Sequence, residues 1–108
     1  MDKAQIALII KRYIQQRVPG FFEAIEISCR KTYGSSCIDL LLNEPEKLRN
    51  ILLDKYGDTT SVYFIIKYLL LRPLLIEKNR LDKEEELATS FLNNPEEFKK
   101  MLSSLLQE

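Results

Sequence analysis

Apolar residues in this chain recur at intervals of three and four, and no window alternates apolar with polar for more than a few residues. That spacing lines one face of a helix, whose residues advance by about 100° each, whereas a half-buried strand needs a period of two. Ile6, Ile9, Ile10, Tyr13 and Ile14 form one such stripe and predict a helix over about residues 3–17. Phe22, Ile25 and Cys29 predict a second over about 21–32, and Cys37, Leu40 and Leu41 a short third over 36–42. Leu48, Ile51, Leu52 and Tyr56 predict a fourth over 45–56. A fifth starts at the cap Thr59-Thr60-Ser61 and runs to about 71. There Arg72-Pro73 should break or kink it, because proline lacks an N–H and its ring collides with the carbonyl four residues back. Leu87, Ala88, Phe91 and Leu92 mark a helix over about 83–92, and Phe98, Met101, Leu102 and Leu105 one over 95–106. No Asn-Gly or Asp-Gly turn joins two β-rich runs. The fold class is therefore all-α, a compact single-domain bundle of six or seven short helices over residues 1–108.

Three glycines and four prolines punctuate this pattern. Gly34 and Gly57 each follow a tyrosine, as helix-ending glycines do, while Pro45 and Pro95 stand where a helix begins and an N–H is not missed. One corner occurs twice: Leu41-Leu42-Asn43-Glu44-Pro45-Glu46 is repeated in type by Phe91-Leu92-Asn93-Asn94-Pro95-Glu96, fifty residues on. Asn43 with Glu46, and Asn94 with Glu97, have capping-box spacing. A second junction recurs as Tyr33-Gly34-Ser35-Ser36 and Tyr56-Gly57-Asp58-Thr59, where a hydroxyl or carboxylate caps the next helix. Two copies do not make a solenoid, so these read as a reused helix corner.

Composition narrows the chemistry. The chain has no histidine, which removes the usual general base, the Ser-His and Cys-His pairs, and the commonest transition-metal ligand. Gly-rich phosphate loops and a GxSxG elbow are also absent. No catalytic residue, metal site or cofactor is expected. The 16 basic and 16 acidic residues balance overall but not along the chain. Residues 1–81 hold 13 Lys/Arg against 9 Asp/Glu, and 82–108 hold 3 against 7. A zero total argues against a nucleic-acid binder, whose affinity comes largely from phosphate contacts. Met1-Asp2-Lys3 lacks the pattern of a secretory signal, and the apolar stretch Val62–Ile76 is interrupted by Lys67 and Arg72 and is short for a bilayer span. With two cysteines and no CxxC, a cytoplasmic protein without a membrane partner is expected.

Four groups of residues are candidates for function. Cys29 and Cys37 flank the Tyr33-Gly34 turn. Each reads first as a small core residue; a disulfide across the turn is the alternative, and a reactive thiol the third. Glu84-Glu85-Glu86 after Asp82 is the densest acidic run, but consecutive helix positions diverge, so it reads as a solvated helix start favoured by the helix dipole. Lys11, Arg12 and Arg17, with Arg30 and Lys31, make the best basic patch, available to a phosphate-bearing or acidic partner if it is more than a polar face. In the fifth helix, Val62, Ile65, Ile66, Leu69 and Leu70 supply a full core face and leave Tyr63, Phe64, Lys67 and Leu71 over. A helix apolar nearly all round is either the centre of its bundle or presents a second face to a partner.

The stretch Cys37-Ile38-Asp39-Leu40-Leu41-Leu42-Asn43-Glu44-Pro45, then Leu52-Leu53-Asp54-Lys55-Tyr56-Gly57 and Phe64 to Leu75, resembles a small archaeal helical domain, the Nitrosopumilus-type output domain family. The likeness covers about residues 30–80 and implies an archaeal stand-alone version of a domain placed at the output end of signalling chains. It carries over no catalytic residues. The expected function is a non-enzymatic interaction module that binds a protein partner or a second copy through Tyr63, Phe64, Lys67 and Leu71. The alternative is a nucleic-acid accessory protein using Lys11, Arg12, Arg17, Arg30 and Lys31.

Overall fold

The computed structural model describes residues 1–108 as seven helices without a strand. They are α1 (Lys3–Arg17), α2 (Phe21–Tyr33), α3 (Cys37–Asn43), α4 (Pro45–Tyr56), α5 (Thr59–Glu77), α6 (Glu84–Asn93) and α7 (Pro95–Leu106), with a 3-10 turn at Leu81–Lys83. The caps explain the starts. Asp2 Oδ1 accepts from the Gln5 N–H at 2.8 Å while Gln5 Oε1 accepts from the Asp2 N–H at 3.0 Å, a reciprocal capping box that opens α1. Ser36 Oγ accepts from the Asp39 N–H and opens α3. Asp58, rather than a residue of Thr59-Thr60-Ser61, caps α5 by accepting from the Ser61 N–H at 2.7 Å.

Gly34 and Gly57 end α2 and α4 with φ of 69° and 87°, a region that a Cβ disfavours, and their N–H groups reach the Arg30 and Leu53 carbonyls. The repeated corner behaves unequally. Asn94 accepts from the Glu97 N–H at 3.3 Å, but at the earlier copy Glu44 holds the cap position and no side chain bonds there, so Asn43 caps nothing. Pro45 and Pro95 occupy the first turn in both.

The fifth helix departs most from expectation. It does not stop at Arg72-Pro73 but continues through Glu77, as one rod of 19 residues. The turn before the proline, Ile66–Leu71, widens to π geometry, and the Arg72 N–H donates to the Lys67 carbonyl five residues back. Widening relieves the clash that the Pro73 ring would make in a regular α turn, so the chain runs on. The stretch Val62–Ile76 falls short of a bilayer span, but the helix containing it is long and apolar enough by length and composition to cross one.

In the bundle α5 packs against α1, α4 and α6 and occupies the centre. It gives Val62, Ile66, Leu70, Leu71, Leu74 and Leu75 to a single core of 26 buried apolar residues drawn from all seven helices. Each large aliphatic side chain buried there contributes roughly 1.5–3 kcal/mol over leaving it exposed. Phe91 and Phe98 meet edge to face, centroids 5.1 Å apart, across the α6–α7 corner. Arg49 of α4 donates to the Leu92 carbonyl at 2.9 Å and so satisfies an orphan acceptor at the end of α6.

Candidate interaction surface on the central helix

Positions 63, 64, 67 and 68 fall on one flank of α5, and three of them are aromatic. Phe64 is 49% exposed on a helix whose opposite side is almost sealed. Its ring stacks on Tyr68 (centroids 5.6 Å, planes 11° apart) and meets Tyr63 at 78° and 5.7 Å. The half-buried tyrosines and the exposed phenylalanine thus form a preassembled ridge, whose order comes from contacts already made within the helix.

Lys67 does not reach into solvent. It is 9% exposed, with its Nζ 5.4 Å from the Tyr63 centroid and 5.0 Å from that of Tyr68, and 3.6 Å from the Glu85 carboxylate. Burial disfavours its ammonium, but hydrogen bonding to Tyr68 and the fields of Tyr63, Tyr68 and Glu85 outweigh that and hold its pKa above the ordinary lysine value. Lys67 is a strut under the ridge. A charge reversal there would bury a carboxylate between the two tyrosines and towards Glu85, and would test folding before it tested binding.

Leu71 is not part of the surface either, being wholly buried. On a regular helical wheel it follows Lys67 around the same face. The π turn rotates the chain less per residue, so Leu71 lags behind and enters the core.

Tyr68 and Arg72, which the sequence pattern did not single out for function, complete the flank. Arg72 lies over Tyr68, 4.4 Å from the ring centroid, and forms a two-pronged pair with Glu84 at 2.8 and 2.6 Å. That hydrogen bond raises the Arg72 pKa. Glu84 is 6% exposed, so the first residue of the acidic run is buried and paired, not solvated. Glu86 pairs with Lys83, and Glu85, though largely exposed, faces Lys67. Every cation beneath the ridge therefore has its own carboxylate, leaving an apolar, charge-compensated knob.

The basic residues do not form one patch. Lys11 and Arg30 line a depression between α1 and α2, with Glu26 and Asp39 in the same wall. Arg30 pairs with Glu26 at 3.5 Å. Arg17 lies on the Tyr13 ring at 3.6 Å and donates to the Tyr13 carbonyl. Arg12, Arg17 and Lys31 are exposed outside that depression.

Cys29 and Cys37 are both buried side chains of the core, at 0% and 1% exposure. No group of three or more His, Cys, Asp or Glu residues is placed to hold a metal ion. Compared with protein-family models, curated proteins and solved structures, the chain matches none.

Proposed function

We propose that the protein is a non-enzymatic interaction module that docks a protein partner on the aromatic ridge of α5. The observation that carries this reading is Phe64, half exposed in the middle of the central helix and held in place by Tyr63 and Tyr68. A large ring already fixed by its neighbours loses little conformational freedom on binding, and aromatic anchors of this kind dominate protein interfaces. The contact residues are Tyr63, Phe64 and Tyr68, with Lys67 and Arg72 supporting them from below. A place at the output end of a signalling chain is one form of this reading.

Charge compensation favours a protein over a nucleic acid here. Binding a strand takes cations free to meet phosphate and ring faces free to stack bases. Lys67 and Arg72 are engaged by Glu85 and Glu84, and Tyr68 already carries Phe64 against it and Arg72 over it.

The test is affinity capture from lysate with nuclease present, comparing the natural chain with Phe64→Asp. Because Phe64 is half exposed, the variant is expected to keep its helical signal and unfolding midpoint while losing the discrete protein retained by the parent. Retention of the same protein by a folded Phe64→Asp chain would refute the assignment.

A further inference from the structure

We propose that the seam between α1 and α2 is a self-association surface, on which two copies of this chain dock about a twofold axis. The seam opens into a depression of about 510 Å³ floored by Ala7, Phe22 and Ile38, with Leu8 on its rim. Past Phe22 it continues into a second, of about 360 Å³, beside Ile27. Two large apolar side chains stand in solvent along it: Leu8 at 47% exposure and Ile27 at 67%, the most exposed large apolar residue in the protein. Knobs beside hollows on a single face are what a patch needs in order to fit its own copy.

The charges identify the occupant. Three cations and three carboxylates line the two hollows. Lys3 is bound to Asp39 at 2.7 Å and Arg30 to Glu26 at 3.5 Å, so four of the six are already satisfied within the chain. Lys11 on α1 and Glu23 on α2 make no ion pair and no hydrogen bond, and they are of opposite sign. A partner with a uniformly acidic or basic face would set one of them against its like. A second copy offers Glu23 to Lys11 and Lys11 to Glu23, because in a twofold interface every contact is returned with the roles exchanged. Ile27 of each copy then covers the hollow beside Phe22 of the other. No α5 residue lines either hollow, so this surface is independent of the aromatic ridge.

Sedimentation equilibrium of the full 12.7 kDa chain over a dilution series tests the proposal. The expected result is a concentration-dependent rise towards twice that mass. Ile27→Asp and Lys11→Glu should each weaken association by about tenfold or more, the low end for a close interfacial charge pair. Lys11→Glu combined with Glu23→Lys should restore it, because the exchange rebuilds both bonds with reversed polarity. Phe64→Asp should leave the dimer unchanged. A chain that stays monomeric up to about 1 mM would overturn the proposal. So would a dimer indifferent to Ile27→Asp and to Lys11→Glu, or one lost with Phe64→Asp instead. The charge exchange, on two exposed positions, keeps the test decisive even if Ile27→Asp fails to fold.

Discussion

Replacing Arg72 with methionine leaves the Glu84 carboxylate, at the start of α6, without its partner. That carboxylate accepts two hydrogen bonds from the guanidinium, at 2.8 and 2.6 Å, and its side chain is 8% exposed, against 35% for Arg72. The two ends of the pair are therefore not equivalent. Removing Arg72 strands a buried charge, which costs about 3–5 kcal/mol. Removing the carboxylate with Glu84→Gln leaves a guanidinium that water can still reach, and costs about 1–2 kcal/mol. Replacing both with methionine should recover most of the loss, since a buried pair exchanged for apolar groups is often near neutral. Against a total stability of about 5–15 kcal/mol, these differences are large. Urea unfolding of the three variants, followed by helical circular dichroism, reads them directly. Equal losses from the two single substitutions would show that the Glu84 carboxylate reaches water as freely as the Arg72 guanidinium does, and would refute this asymmetry.

Leu71 and Phe64 should separate core from surface: Leu71→Ala is expected to cost about 2–5 kcal/mol and Phe64→Ala well under that, measured as shifts in urea midpoint. A larger loss at Phe64 would mean that the ridge is core. Asp58 has its pKa lowered by hydrogen bonding from Ser61, so its contribution is present above the carboxylate range and is lost as the pH falls through the lowered value. Asp58→Asn keeps a capping oxygen but cannot titrate, so it should match the parent at neutral pH and lose less stability on acidification; parallel acid titrations would show the difference in slope.

Where sequence and structure agree, the determinants are local. Seven helices are legible because each carries its own apolar stripe, although α5 runs past its apparent stop at Arg72-Pro73. Gly34 and Gly57 end helices for a reason confined to one residue's φ. Corners with a proline in the first turn are equally local. Agreement fails where one distant element decides the geometry of another. Glu84 reads as a solvated helix start until α5 brings Arg72 against it from twelve residues away. The five cations of the first two helices read as one patch until Arg17 lies back on Tyr13 and the carboxylates Glu26 and Asp39 enter the seam.

The π turn ties several of these departures together. A helical wheel assumes a constant rotation per residue, and Pro73 breaks that assumption in the turn that precedes it. The slower rotation through Ile66–Leu71 sends Leu71 inward and lets the helix run past the proline. It also leaves Arg72 placed both to lie over Tyr68 and to bind Glu84. Tyr63 and Phe64 lie before the turn and keep their regular α-helical placement, which leaves Phe64 half exposed. The proline that looks like a terminator thus acts as a register shift: the half of α5 before it carries the exposed ridge, and the half after it contributes Leu74 and Leu75 to the core.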